Sequence, residues 1–190
     1  ALLVVAMLVQ AAFGPYYVFF TLYLEDLGYA RTTIGILWAL GVAAEIAVFL
    51  YSPWLFRVFS RRSLLAGALG FAVVRWCMTA AFADNLVLLV FAQLLHMASF
   101  GLFHAVAVVC IHDFFPGKTH GRGQALYSSA GFGAGGALGS LYSGYSWSLF
   151  GPQAMFWIAA GLVAVALIIA VVWIHPDSVE NELTAEWSEE

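Results

Sequence analysis

Long apolar stretches separated by brief polar interruptions run through almost the whole chain. Read for runs broken by charge, Gly or Pro, the sequence predicts six spans, at 1–24, 33–56, 63–82, 86–111, 124–147 and 152–174. A helix that crosses a bilayer needs about 20 predominantly apolar residues, and each run reaches that length. The interruptions are short, which forces consecutive helices to run antiparallel. The pattern therefore predicts an all-α fold: a polytopic membrane protein built as a six-transmembrane-helix bundle over residues 1–176. Residues 177–190 form a separate segment rich in acid, with Asp177, Glu180, Glu182, Glu186, Glu189 and Glu190, and read as a tail outside the bilayer. The chain opens at Ala1 directly in an apolar run, with no basic leader region or cleavage pattern. It reads as a fragment of a longer protein and not as the start of a secreted one.

Composition strengthens the membrane reading. Apolar residues make up 63% of the chain and charged residues 9%, against about 45–50% and 25% in an ordinary soluble domain. The formal charge of −4 comes mainly from the acidic tail, so the body is nearly neutral and suggests no nucleic-acid partner; its surroundings are the lipid bilayer. Lys and Arg in short loops mark the cytoplasmic side. Arg57, Arg61, Arg62, Lys118 and Arg122 fall in the second and fourth connections, while Arg31 alone falls in the others. That bias places both termini and the tail in the cytoplasm.

The chemistry that is missing narrows the function. No phosphate-binding glycine loop, dinucleotide fingerprint, HExxH or Cys/His metal cluster is present, so no cofactor, no metal site and no ATP-driven step is predicted. Cys77 and Cys110 lie inside apolar runs and are not expected to form a disulfide. Ser99 near His96 or His104 is the nearest approach to a nucleophile and base, and helical spacing makes it poor evidence for an enzyme.

The polar residues inside the spans carry the functional signal. A charge near the bilayer centre costs about 2.5–3.5 kcal/mol on insertion scales, so it normally faces a partner or a cavity. Glu45 lies mid-way along the second span and Arg75 in the third; the two are expected to pair across the interior, either as a structural lock or as part of a site. In the fourth span, at about 100° per residue, His96 lies about 60° to one side of Gln93 and His104 about 20° to the other. With Phe100 they form a polar stripe about 16 Å long at the 1.5 Å rise of a helix. A stripe of that length suits a cavity wall for a partly apolar ligand, and helix-to-helix hydrogen bonding is the alternative use. Gln10 sits in the first span ahead of Pro15, which removes a backbone donor and favours a kink; Tyr16 and Tyr17 follow and offer rings and hydroxyls to a ligand. Gly131, Gly135 and Gly139 are spaced four apart in the fifth span. Such a strip permits close helix packing, static or sliding.

Several stretches resemble the C-terminal six-helix half of major facilitator superfamily transporters, in the phenylpropionate permease branch. The likeness covers nearly the whole chain to about Ile174. It rests on Gly35-Ile-Leu-Trp38-Ala-Leu-Gly41-Val-Ala-Ala-Glu45, on Leu55-Phe56-Arg57 with Arg61, on Val73-Val-Arg75-Trp76, on Gln93-Leu-Leu-His96 with His104, and on Gln124-Ala-Leu-Tyr127-Ser128. The resemblance implies a twelve-helix carrier of the bacterial cytoplasmic membrane, whose halves rock about a central site and take up a small aromatic carboxylate with a proton. It implies that the N-terminal half is missing from this chain. Glu45, Arg75 and His96 match by helix and residue type the Glu, Arg and His that related sugar symporters carry. Glu45 and His96 on that likeness, and His104 from its place on the stripe, are expected to serve proton coupling. Arg75, Gln93, Gln10, Tyr16, Tyr17 and Phe100 are expected to serve substrate binding, with Arg75 holding either Glu45 or the substrate carboxylate. A competing expectation is a receptor-like or assembly subunit that transports nothing and whose buried charges only lock the bundle.

Overall fold

The computed structural model describes residues 1–174. The predicted tail, 177–190, lies outside the described residues. The first three spans are single helices, α1 (Leu2–Asp26), α2 (Arg31–Val58) and α3 (Arg61–Phe82). The fourth consists of α4 (Leu86–Leu94), a π-helical stretch at Met97–Leu102 and α5 (Phe103–Phe114). The fifth consists of α6 (His120–Ser128), a second π-helical stretch at Ser129–Gly135 and α7 (Gly136–Phe150), and the sixth is α8 (Pro152–Trp173). Five of these runs, Leu2–Asp26, Arg31–Val58, Arg61–Phe82, Leu86–Phe114 and Pro152–Trp173, are long and apolar enough to cross a bilayer. The run 120–150 is helical along its length, but glycine and serine dilute its hydropathy.

Local chemistry sets the ends. Gly28 adopts φ +85 after α1, and the Tyr29 and Gly28 amides return to the carbonyls of Leu24 and Glu25 at 3.0 and 2.9 Å, the paired closure that a left-handed glycine permits. Ser60 accepts from the Ser63 amide at 3.2 Å to start α3. Asn85 accepts from the Val87 and Leu88 amides at 3.1 and 3.2 Å to start α4. Both satisfy amides that have no partner inside the helix. The predicted boundaries shift in the fourth connection. Helix α5 continues through His112 and Asp113 to Phe114, and α6 begins at His120, so these three residues are helical and the connection is shorter than the sequence pattern suggested. Pro116 explains the stop, because a proline disfavours helix at the residue before it.

Helix α1 is central. It packs against α8 and against the fifth span, and α8 packs in turn against α3. The π-helical stretch of the fourth span lies against both α2 and α3, which scarcely touch each other. Outward faces remain apolar, with Leu50, Leu149 and Phe150 at 76%, 70% and 75% exposure, a surface that water would not tolerate and hydrocarbon does. On the ends of the bundle, Tyr29 donates to the Ala83 carbonyl at 2.9 Å, joining the first and third connections. At the opposite end Arg61 pairs with Asp113, and Arg62 donates to the Val171 carbonyl at 2.8 Å.

The glycine strip lies directly against α1. A Cβ on Gly14 would meet the Gly139 backbone, one on Gly139 would stand 2.5 Å from the Ala11 carbonyl oxygen, and one on Gly135 would meet the Met7 carbonyl. Pro15 gives this contact its chemical sense. Helix α1 runs through Pro15, which has no N–H to offer Ala11, so that carbonyl is left open on the face that Gly139 approaches. Weak Cα–H contacts to such a carbonyl recur where helices pack closely. Gly139→Ala should therefore destabilise the bundle by about 1–3 kcal/mol, as overpacking does. Gly136→Ala, with nothing within 4 Å of the added carbon, should be neutral. Thermal unfolding in detergent, followed by tryptophan fluorescence, checks the pair.

Candidate functional site

Arg75 occupies the centre of the core with no exposed surface. Its guanidinium carbon lies 4.3 Å from the Trp76 ring centroid, 4.4 Å from Tyr16 and 5.2 Å from Phe13. Nε donates to the Ala92 carbonyl at 3.2 Å and Nη1 to the Ser99 hydroxyl at 3.4 Å, while Nη2 has no partner. The cation is thus held by the negative faces of three aromatic rings and by two neutral acceptors. The expected pairing with Glu45 does not form, and among the described residues Arg75 has no carboxylate partner. The reason is architectural: α2 and α3 are held apart at this depth by the π-helical stretch of the fourth span.

Glu45 turns to that stretch instead. Its Oε2 lies 3.4 Å from His96 Nε2, and its side chain retains 19% exposure. Gly101 makes this approach possible, since a Cβ there would stand 3.2 Å from Glu45 Cγ and 2.6 Å from Val48 Cγ1. Gln93 is fully buried and accepts from the Tyr16 hydroxyl at 2.9 Å. Trp38 packs on the Tyr16 ring with centroids 4.3 Å apart. Tyr16, Gln93, His96, Glu45 and Arg75 thus meet in one cluster drawn from four spans.

The rings of the polar stripe stack in succession. His96 and Phe100 stack with centroids 5.4 Å apart and planes 2° apart, and Phe100 and His104 stack at 6.1 Å and 6°. At 3.6 residues per turn, each step of four residues would drift by about 40°. The wider i→i+5 winding of a π-helical stretch covers 97–102 and counters that drift, and the three rings form a column. His104 Nδ1 then meets the Tyr127 hydroxyl at 2.9 Å, extending the polar line to the fifth span. Gln10 lies apart from this cluster, and Tyr17 borders it, its ring centroid 5.6 Å from that of Tyr16 and 5.7 Å from that of Phe13. With Gly14, Phe132, Gly136 and Ser140 they line an adjoining cavity of about 270 Å³, and Tyr17 is half exposed. Ser99 donates to the His96 carbonyl at 3.4 Å while accepting from Arg75, so it is not poised against an imidazole.

Sequence reasoning missed Phe13, Trp76 and Tyr127 as parts of the site. Trp76 stands beside Arg75 in the chain, Phe13 lies one turn before Tyr16, and an aromatic residue beside or one turn from a buried cation is a usable signal. Nothing short of the fold places Tyr127 opposite His104.

The comparisons with known proteins agree with this architecture. The profile of the MFS_1 like family matches residues 1–158. This chain belongs to that family. A protein of Escherichia coli (strain K12) named "Probable 3-phenylpropionic acid transporter" is 33% identical over 162 residues, covering 85% of this chain and 42% of the relative. An uncharacterized MFS-type transporter of Mycobacterium tuberculosis (strain CDC 1551 / Oshkosh) is 26% identical over 179 residues, covering 92% of this chain and 41% of the relative. The chain thus spans about two fifths of the length of these relatives. Family and apolar helices together make this a multi-pass membrane protein.

The geometry separates two energetic couplings. A double-mutant cycle on Arg75→Met and Tyr16→Leu should show a coupling of about 0.5–2 kcal/mol, the range of a desolvated cation–π contact. The same cycle on Arg75→Met and Glu45→Gln should give less than about 0.5 kcal/mol, as for residues without a shared contact. Equilibrium unfolding in mixed micelles provides the readout.

Proposed function

We propose that this chain is one half of a secondary transporter that moves a small aromatic carboxylate together with a proton by alternating access. The observation that carries the reading is Glu45: a carboxylate at membrane depth, partly open, 3.4 Å from an imidazole and close to a column of rings. Ionisable groups inside membrane helices are costly and mark ion or substrate paths, and the family to which the chain belongs suits that use.

In this reading Glu45 takes up the proton, with His96 as its hydrogen-bonding partner and His104 with Tyr127 as the next polar station. Phe100 stands between the two imidazoles and carries no proton, so transfer along the column requires water beside it. Charge on Glu45 repels an incoming carboxylate by Coulomb's law. Protonation removes that repulsion, and proton and anion therefore bind together. Coupling in this reading does not run through a Glu45–Arg75 pair, because the two side chains do not pair. Tyr17 and Phe132 offer faces for a planar ring and Phe100, stacked between two imidazoles, offers its edge; the name of the Escherichia coli relative points to a phenyl-bearing acid. Arg75, closed off from any cavity in this conformation, serves the site by fixing α1, α3 and the fourth span around it. To that extent the structural-lock reading fits Arg75, though not Glu45. The other wall of the cavity comes from a further six-helix half, and the basic connections face the cytoplasm of a bacterial inner membrane.

Glu45→Gln in the intact carrier should abolish proton-driven accumulation of a radiolabelled aromatic acid and leave substrate exchange partly intact. Loss of both at normal protein abundance would count against Glu45 as the proton site.

A further inference from the structure

Among the described residues two glutamines, Gln10 and Gln93, are buried in the bundle, and only one of them is committed to a partner. Gln93 accepts from the Tyr16 hydroxyl. Gln10 is 4% exposed, its Nε2 meets no acceptor, and no hydrogen bond among the described residues holds either end of its amide. Its stem is pressed in place by the glycine strip, since Cβ atoms on Gly131 and Gly135 would stand 3.4 Å from Gln10 Cγ and 3.1 Å from Gln10 Cβ. The last side-chain torsion of a glutamine is soft and roughly two-fold. The amide can therefore turn either its N–H or its carbonyl to the cavity of about 270 Å³ that it borders, breaking no bond to protein. Ser140 also lines that cavity; it donates to the Gly136 carbonyl at 2.9 Å, and its oxygen can still accept. The two aromatic walls, Tyr17 and Phe132, abut the Tyr16 ring and the His104 ring at 5.6 and 6.1 Å between centroids. None of the lining residues is charged.

We propose that this cavity receives the ring end of the aromatic acid and selects for a hydroxyl on that ring, with Gln10 as the residue that reads it. The proposal rests on the reading of the substrate as an aromatic acid. The carboxylate is not the group that enters, because a bare anion taken from water into a cavity without a cation is costly. A ring hydroxyl suits the lining better. It donates one hydrogen bond and accepts others, and a freely turning amide answers both, with the Ser140 oxygen as a second acceptor. Tyr17 and Phe132 pack the ring itself, through the stacked or edge-on contacts that aromatic groups prefer. Space is sufficient, since a cavity of about 150 Å³ already holds benzene. An unsubstituted ring would leave the Gln10 amide unpaired as it is now. A hydroxyl removes that penalty, and a site with a buried polar group to satisfy discriminates in this way.

Binding of 3-phenylpropionate and of its 3- and 4-hydroxyphenyl analogues to the intact carrier in detergent tests this, by isothermal titration calorimetry and without a proton gradient. The wild type should bind the better hydroxylated acid at least about threefold more tightly than the unsubstituted one, the effect of one neutral hydrogen bond. Gln10→Leu should cut that preference to under about 1.5-fold and change the affinity for the unsubstituted acid by no more than about twofold. Gly136→Val checks the location, because a Cβ there meets nothing within 4 Å and the added side chain narrows the cavity. It should weaken all three acids by at least about threefold, as overfilling a pocket does, with thermal stability close to wild type. Equal binding of the three acids by the wild type, or no binding of any, would overturn the proposal. So would a hydroxyl preference that survives Gln10→Leu, or binding unchanged in Gly136→Val. Failure of the transport reading looks different: the acids bind as described, and the carrier accumulates none of them in a proton gradient.

Discussion

A guanidinium buried at membrane depth has to be solvated by the protein itself, and much of this bundle is arranged to do so. Removing an unpaired cation from water costs several kcal/mol even after relaxation. Here the cost is offset by the faces of Phe13, Tyr16 and Trp76 and by the Ala92 carbonyl and Ser99 hydroxyl. Those groups belong to α1, α3 and the fourth span, so satisfying one side chain fixes the relation of three helices. The same rings extend the order outward: Tyr16 reaches Gln93 and Trp38, and Phe13 sets its ring edge to His96 and Phe100.

Placing the cation among rings leaves Glu45 with a partner that carries no fixed charge. An arginine–carboxylate pair would hold Glu45 ionised, because the guanidinium never gives up its proton under ordinary conditions. A neutral imidazole nitrogen can donate to a carboxylate or, in the other tautomer, accept from a protonated carboxyl, so the Glu45–His96 contact does not require an ionised Glu45. Close approach at Gly101 and the wide turn at 97–102 make that contact possible. Backbone irregularity inside a span is tolerated where it is buried in protein, and Ala98, Ser99, Gly101 and Leu102 of this stretch are buried.

Much of the fold was legible in the sequence because membrane helices declare themselves by length and hydropathy, and all six expected spans correspond to helical runs. The residues worth watching were also legible, since charge and amide groups within apolar runs stand out. Their partners were not. Glu45 and Arg75 were paired on the assumption that consecutive spans adjoin, and the intervening fourth span overturned it. The phase of His96, Phe100 and His104 was approximate because a uniform 100° step does not anticipate a π-helical turn. The glycine strip was visible as a strip, but which carbonyls it meets depends on Pro15 of another helix. The boundary at Phe114 follows from Pro116, a local signal that hydropathy alone passes over.

The central claim is that Arg75 is held by aromatic rings and not by Glu45. Dipolar-recoupling solid-state NMR on lipid-embedded protein tests it most directly, with ¹³C at the arginine Cζ, the glutamate Cδ and the aromatic rings, and Glu45→Gln to identify the Glu45 signal. The account predicts strong contacts from Arg75 Cζ to ring carbons of Tyr16 and Trp76 and none to Glu45 Cδ. A strong Cζ–Cδ contact that vanishes in Glu45→Gln would contradict it.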